Sequence, residues 1–419
     1  MTFARTKLQK LEWVSTTPLG FELVPDVNMI IVASSSLPAG SPSNGIAGER
    51  IAEVSANLGP FASLPGIEVV DLKGRVLTPG FVDPHVHILG GGGGGGFQTR
   101  GPELFLSEIT SAGTTTIVGV IGTDGVTRDL TALLAKAHAL EEEGITTHLW
   151  SGAYFYPPPT FTGSVWRDLV LVEKVLGVGE VAISDVRSTE PTIQELTRLA
   201  SEARMGGRLA GKPGLLHLHV GPGKAGLKPL FEVCEGSEAP ITQLFPTHLN
   251  RTRRLLEEAA VFAKAGGSID LTASFTPARG LPASVPASEA LVYLREEGVP
   301  LDRVTLSTDG NGIFIPEGAR DFIKWPLSAL HEQFREAVTE RDLPIPDVLA
   351  AITENTAKVL GLYPGKGSLT AGADADLVIL DGDLQIEAVY ARGRKMVEDG
   401  RPVIFGRFEA GAEKAKGLR

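Results

Sequence analysis

The sequence predicts a mixed α/β protein, with a (β/α)8 barrel of the TIM type and a small β-sandwich domain formed from both chain ends. In the middle of the chain, eight apolar strand-like runs alternate with helical patterns, as in parallel strands joined by crossover helices. Both ends instead show short strands separated by glycine turns. The length of 419 residues suits a large barrel with a smaller partner domain. A doubly wound sheet explains the β-only ends less well.

These patterns divide the chain into four segments. Residues 1–78 are expected to form the N-terminal part of the sandwich, and residues 365–408 its C-terminal part. The barrel is expected to occupy residues 79–364 between them. Residues 409–419 are expected to form a flexible tail, as chain ends without apolar anchors commonly do.

The barrel strands are short apolar runs, and most are followed by a helical pattern. Two of those patterns, 128–144 and 253–267, end at glycine, which is a common helix stop. The predicted strands are 80–87, 114–122, 146–154, 177–184, 215–220, 241–248, 268–274 and 303–310.

Composition limits the class of function. The net charge of −11 and a pI near 5.3 argue against nucleic-acid binding, which favours a basic surface. A single cysteine, Cys234, excludes an internal disulfide and suits a reducing compartment. No run approaches the roughly 20 apolar residues of a membrane span, and the N-terminus does not resemble a secretion signal. We expect a cytoplasmic protein that binds neither nucleic acid nor membrane.

Polar residues gather where the predicted strands end, which is where barrels of this type carry their active sites. His85 and His87 close the first strand and point to the same side, because strand side chains alternate faces. Imidazole and carboxylate groups are the usual zinc ligands. On the predicted strand 215–220, His217 and His219 both point inward. His217 lies one layer deeper in the barrel, so we favour His219 as the ligand. The candidate metal-ligating set is His85, His87, Glu180, His219, His248 and Asp309.

Several motifs resemble those of a known superfamily. "LTPGFVDPHVH" and "GADADLVILD" are similar to the opening signature and the returning β domain of the amidohydrolase superfamily. More narrowly, the chain resembles the isoaspartyl dipeptidases, which are zinc β-aspartyl peptidases. The stretches that carry this resemblance run in the family's order from about residue 70 to 400 and include "HVHILGGGG", "TRGPE", "SGAY", "AISDVRS", "PTHLNR" and "LSTDGNG".

The resemblance implies a centre of two zinc ions. His85 and His87 would bind the more buried ion, and His219 and His248 the second. Asp309 would contact the first ion and the water between the two. The family usually bridges its metals with a carboxylated lysine. Glu180 stands at that place here and would act as a direct bridge, since it also supplies two oxygens with one negative charge.

The resemblance also implies a mechanism and a substrate shell. A metal-bridged hydroxide would attack the amide carbonyl, and Asp309 would pass the water's proton to the leaving amine. Tyr154 would hydrogen-bond the carbonyl oxygen as negative charge develops on it. The substrate would be a dipeptide or small molecule with carboxylates, and the relatives suggest a homo-oligomer. The implied substrate-binding residues are Gly92, Thr123, Arg187 and Arg251.

Two positions depart from the family pattern. Relatives have a glutamate seven residues after the second histidine, which pairs with the substrate's amino group, and this chain has Gly94 there. Ile313 stands where the family has serine. Our hypothesis from these departures is that the enzyme tolerates, or prefers, carboxylated amides without a free α-amino group.

Two other functions stay open at this stage. A cyclic amidohydrolase of the dihydroorotase or hydantoinase type would keep the fold and the chemistry but change the substrate. A scaffold without catalysis would keep the fold alone. Metal analysis separates the scaffold from both enzymes, because a scaffold need not retain the metal ligands.

Overall fold

The computed structural model describes residues 28–32, 49–51, 67–71, 75–315 and 322–411. Most of the predicted N-terminal sandwich segment, and residues 412–419 of the predicted tail, lie outside the described residues. In the described part, no helix combines the length and the apolar character that crossing a membrane requires.

All eight predicted barrel strands are present. Six of them form one parallel sheet in chain order, and the last two form a parallel pair. Their side chains are almost all buried on both faces, which explains why the sequence shows continuous apolar runs. After β1 (Asn28–Val32), β2 (Ile67–Asp71) and β3 (Val76–Pro79), the barrel strands are β4 (Phe81–Val86), β5 (Thr114–Gly119), β6 (Thr146–Ser151), β7 (Val175–Ile183), β8 (Leu215–Val220), β9 (Leu244–Thr247), β10 (Ile269–Thr272) and β11 (Val304–Ser307).

Hydrogen bonds just beyond the strand ends connect the six-stranded sheet to the pair. The backbone N–H of Leu249, after β9, donates to the carbonyl of Asp270 in β10 at 3.3 Å. On the other side, the N–H of His87 donates to the carbonyl of Gly310 at 2.9 Å. The mixed α/β fold with a curled parallel sheet is therefore confirmed, while the fully closed barrel stays a prediction.

Helices follow most of the barrel strands. The two helical patterns singled out in the sequence are confirmed. The helix Leu130–Glu143 is capped by Gly144, where φ is +126°. The helix Arg253–Lys264 begins after Thr252, whose side chain accepts from the N–H of Leu255. The helices are α1 (Leu106–Thr110), α2 (Leu130–Glu143), α3 (Val165–Leu171), α4 (Ile193–Ala210), α5 (Lys228–Glu235), α6 (Arg253–Lys264), α7 (Ala287–Glu296), α8 (Ala329–Thr339), α9 (Ile345–Ile352) and α10 (Glu354–Val359).

A separate antiparallel sheet joins the two sides of the barrel segment. β3 precedes the barrel and pairs with β14 (Leu377–Leu380), so that Leu77 lies opposite Ile379. Three further strands are β15 (Ile386–Ala391), β16 (Arg394–Glu398) and β17 (Arg401–Pro402). The strand order is β17-β16-β15-β14-β3, and a second apolar core that includes Leu77, Leu377 and Tyr390 packs on it. This sheet pairs strands from both sides of the barrel segment, and the small β-sandwich domain stays a prediction. A separate antiparallel hairpin after β11 consists of β12 (Ile313–Phe314) and β13 (Ile323–Lys324).

Candidate active site

The two histidines at the end of β4 face the carboxylates of two other strands. Both rings are buried. His85 Nε2 lies 3.4 Å from Oε1 of Glu180 and 3.5 Å from Oδ1 of Asp309. His87 Nε2 lies 3.0 Å from the same Asp309 oxygen. The structure thus brings together four of the six predicted ligands, which lie on or directly after the first, fourth and eighth predicted barrel strands.

Glu180 on β7 lies between two pairs of histidines. Its Oε1 faces the pair from β4, whereas its Oε2 lies 3.2 Å from Nδ1 of His219 and 3.8 Å from Nε2 of His248. Two groups could each hold a metal ion, and Glu180 belongs to both: His85, His87 and Glu180 form one, and Glu180, His219 and His248 form the other.

Two of the predicted metal ligands have an unusual backbone conformation just after a strand. His248 has φ of +68° and Asp309 has φ of +53°, in the left-handed region that residues other than glycine rarely adopt. The Nδ1 atom of His248 is held 2.7 Å from the hydroxyl of Thr272. The glycine at position 122, where φ is +82°, lets the backbone lie against the ring of His87.

Several buried polar atoms of this cluster have no hydrogen-bond partner among the described residues. They are Nε2 of His85, Nδ1 of His87, Nε2 of His248 and Oε1 of Glu180. Buried polar atoms nearly always have a partner, so orphaned atoms that converge on one space indicate a missing ligand. Because imidazole nitrogens and carboxylate oxygens are good zinc ligands, the residues present fit a divalent metal centre.

The charges of the cluster stabilise one another. Burial alone would raise the pKa of Glu180, but the neighbouring His85 and His219 hold it well below its ordinary value. Burial would lower the pKa of His85, and the Glu180 carboxylate instead raises it to about 9 in the metal-free protein. Burial would also raise the pKa of Asp309, but the hydrogen bond from His87 lowers it to about 2. Both carboxylates are therefore ionised at neutral pH.

Tyr154 follows β6 and reaches the second histidine pair. Its hydroxyl lies 2.8 Å from Nδ1 of His219, and the side chain is buried. Burial and the nearby Glu180 raise the pKa of Tyr154 well above its ordinary value. The side chain therefore keeps its proton and can donate a hydrogen bond.

The two predicted substrate-binding arginines have different surroundings. Arg187 forms an ion pair of 2.7 Å with Asp185 and also contacts Nε2 of His219 at 3.1 Å. Arg251 lies over the ring of Phe275 at 4.6 Å, and its Nε has no hydrogen-bond partner among the residues that the structure describes. Burial and the positive charge of Arg187 lower the pKa of Arg251. Arg251 is thus the guanidinium that is better placed to receive a carboxylate.

A cavity of about 680 Å³ opens from this cluster. Its wall is apolar on the side of the hairpin after β11, where Ile313, Phe314 and Trp325 lie. The lining also includes all the predicted substrate-binding and catalytic residues, together with two of the predicted metal-ligating histidines and Gly94. Those lining residues are His87, Gly92, Gly94, Thr123, Tyr154, Arg187, His219, Arg251 and Asp309.

The glycine run forms part of the cavity wall. Gly92 has φ of +83°, and a Cβ there would overlap the carbonyl oxygen of Thr99 and press on Ile313, so only glycine fits. A Cβ at Gly94, in contrast, would meet nothing within 4 Å. The two positions that depart from the family pattern, Gly94 and Ile313, thus both line the cavity.

Sequence reasoning missed Asp185 and assigned no role to His217. Asp185 contacts Nε2 of His219 at 3.1 Å and holds Arg187, and its place directly after the fourth strand was the available signal. His217 lies one layer deeper than His219, as expected, and belongs to neither group that could hold a metal. The exposed His138 on α2 and the buried His331, which contacts the carbonyl of Leu384, lie outside the site.

Models of the amidohydrolase family match two parts of the chain, residues 68–113 and 247–407. An imidazolonepropionase of Mesorhizobium japonicum is 26% identical over 370 residues, covering 80% of this chain and 84% of that protein. A D-hydantoinase (dihydropyrimidinase) structure from Thermus sp. shares the fold with a TM-score of 0.60 at 18% identity, covering 89% of this chain and 96% of that one.

A stronger similarity links the chain to the β-aspartyl dipeptidase of Fervidobacterium islandicum AW-1. One structure of that enzyme is 42% identical, covers 84% of this chain and 92% of its own, and has a TM-score of 0.77. A second, in complex with the β-Asp-Leu dipeptide, is 44% identical, covers 78% and 86%, and has a TM-score of 0.73. With the family motifs and the histidine–carboxylate cluster at the strand ends, this similarity shows that the chain belongs to the amidohydrolase superfamily.

Proposed function

We propose that the protein is a binuclear zinc hydrolase of β-aspartyl (isoaspartyl) dipeptides or similar carboxylated amides, built on a closed (β/α)8 barrel. The observation that carries the proposal is the position of Glu180, which faces two pairs of histidines. Glu180 and three of these histidines each have a buried polar atom without a hydrogen-bond partner among the described residues. The identity of 42–44% to a β-aspartyl dipeptidase supports the substrate class.

The metal site has one set of ligands for each ion. His85 and His87 would hold the deeper ion with Asp309, and His219 and His248 the second, with Glu180 between them. Two divalent cations there would activate a water and polarise the scissile carbonyl.

The protein's own groups supply the proton transfers. Asp309 lines the cavity as a carboxylate, so it can accept the proton of the attacking water and pass it to the leaving amine. The protonated hydroxyl of Tyr154 would donate to the carbonyl oxygen as that oxygen gains negative charge.

Substrate orientation depends on the cationic side of the cavity. Arg251 offers a guanidinium with an unpartnered Nε, and Arg187 lies beside it, so a carboxylate of the substrate would bind there through parallel hydrogen bonds. Thr123 and the backbone at Gly92 line the same cavity and would complete the contacts.

The decisive experiment measures amine release from β-aspartyl-leucine by the zinc-loaded protein. The same compound without its α-amino group is assayed in parallel, together with a dihydropyrimidine and a hydantoin. Zinc-dependent cleavage of either linear amide supports the proposal, and the ratio of the two rates tests the hypothesis based on Gly94 and Ile313. Cleavage of a cyclic amide alone would establish the cyclic amidohydrolase instead, and a protein that binds no zinc would be neither enzyme.

A further inference from the structure

His217 is packed tightly in the barrel interior, two residues before His219 on β8. Its ring stacks on the indole of Trp150, with centroids 4.6 Å apart and an angle of 21° between the planes. Phe245 lies 5.1 Å away on another side. The Trp150 ring is fixed in turn, because its Nε1–H donates to the carbonyl of Pro84 at 2.8 Å. His217 therefore has one orientation, and no part of it reaches solvent.

The two ring nitrogens of His217 have different partners. Nδ1 lies 2.9 Å from the carbonyl oxygen of Phe245, and because a carbonyl can only accept, Nδ1 must carry the hydrogen. The ring is fully buried, and no ion pair in the described part of the chain includes it, so the ring is neutral and carries a single N–H hydrogen. Its Nε2 then has no hydrogen and can only accept.

This acceptor faces the first predicted metal ligand. Nε2 of His217 lies 2.8 Å from Nδ1 of His85, so Nδ1 of His85 must donate. The opposite nitrogen, Nε2 of His85, then points at Oε1 of Glu180 and Oδ1 of Asp309, at 3.4 and 3.5 Å. A histidine binds a metal through a nitrogen without hydrogen, and the hydrogen bond made by the other nitrogen decides which one that is.

We propose that His217 is a positioning residue that holds His85 in the orientation and tautomer that present Nε2 to a metal ion. The hydrogen-bond chain runs from the carbonyl of Phe245 through His217 to His85. This inference rests on the metal site of the proposed function, but it concerns a residue outside both ligand groups.

Two amide substitutions test the proposal against a merely structural role. In H217Q the side-chain oxygen reaches the place of Nε2 and can still accept from His85, whereas in H217N the amide reaches only the place of Nδ1. Both variants bury the same polar group beside Trp150, so a general loss of packing would affect both. We expect wild type and H217Q to bind two equivalents of zinc with similar affinity. H217N should bind one of them about 10- to 100-fold more weakly, the usual effect of removing an outer hydrogen-bond partner.

Zinc affinity is measured by competition with a chelator, and zinc content by elemental analysis of the dialysed protein. Equal affinities of H217N and wild type, or equal losses in both variants, would overturn the proposal. A wild type that binds no zinc would overturn the proposed function itself, and this inference with it. If neither variant folds, nitrogen chemical shifts of the eight ¹⁵N-labelled histidines in the zinc-loaded wild type decide the matter. Hydrogen on Nδ1 of His85 supports the proposal, and hydrogen on its Nε2 refutes it.

Discussion

Nε2 of His87 and Oδ1 of Asp309 lie 3.0 Å apart, although 222 positions separate the two residues in the chain. The contact joins the first barrel strand to the eighth, and it holds the aspartate that the proposed mechanism uses for proton transfer. Asp309 has a strained backbone, with φ of +53°, and lines the cavity.

Replacement of this carboxylate tests its role directly. We expect D309N to lower kcat for the substrate identified above by about 100- to 10,000-fold, because an amide cannot accept the water's proton. The matched control is D302N, which makes the same change at an exposed residue near the start of β11. Zinc content of both variants separates loss of proton transfer from loss of metal. If D309N kept its zinc and more than a tenth of the activity, Asp309 would not be the proton carrier.

The raised pKa of His85 predicts how stability depends on pH when metal is absent. Burial lowers this pKa, but Glu180 raises it to about 9, compared with an unfolded value near 6.5. The native state therefore binds one more proton than the unfolded state between these values, and the free energy of unfolding falls as pH rises between them. Below about pH 6.5 the contribution of His85 is fully present, and above about pH 9 it is lost.

Urea unfolding of the chelator-treated protein at a series of pH values between 6.5 and 9 measures this slope. H85Q should unfold with a smaller slope over the same range, whereas H138Q, at an exposed position on α2, should behave like wild type. An equal slope in H85Q would show that another group binds the proton.

The contrast between the two arginines predicts unequal roles. Arg251 has an unpartnered Nε, whereas Arg187 is already held by Asp185. We expect R251K to raise KM for a carboxylated amide on the order of 10- to 100-fold, because the planar fork of two hydrogen bonds is lost. R187K should raise KM less. R254K is the control and should leave KM unchanged. Arg254 lies three positions after Arg251 and forms an ion pair with Glu258.

A substrate in which the carboxylate is replaced by a carboxamide provides the second half of this test. Wild type should bind the carboxamide about as weakly as R251K binds the carboxylate. When R251K is assayed with the carboxamide, the two losses of affinity should not add. Additive losses would place the substrate carboxylate elsewhere in the cavity.

The strands and the cluster could be predicted from the sequence for physical reasons. Buried parallel strands are continuous apolar runs, and side chains alternate along them, so His85 and His87 had to share a face. Residues such as His248 and Asp309 directly follow parallel strands, and the carboxyl ends of such strands lie at the same edge of the sheet. These two rules require no knowledge of side-chain rotamers.

The remaining features depend on geometry that periodicity does not contain. The ion pair of Arg187 with Asp185 arises in a turn after β7, where neither helical nor strand spacing sets side-chain direction. The contact between His217 and His85 joins residues 132 positions apart and depends on the rotamer that Trp150 imposes. Sequence reasoning could place His217 one layer below His219, but it could not predict that Nε2 of His217 accepts a hydrogen bond from His85.

The open space at Gly94 predicts a change of specificity. A Cβ there meets nothing within 4 Å, and the position lines the cavity, so a longer side chain can be accommodated without displacing the backbone. We expect G94E to favour the substrate with a free α-amino group over its deaminated analogue by at least about tenfold relative to wild type, because a carboxylate can then pair with the ammonium. G94Q has the same size without the charge and should shift the ratio little. The measurement is the ratio of kcat/KM for β-aspartyl-leucine and the deaminated compound in all three proteins. An unchanged ratio in G94E would mean that the ammonium of the substrate lies away from the glycine loop, and an equal shift in G94Q would mean that volume rather than charge determines the preference.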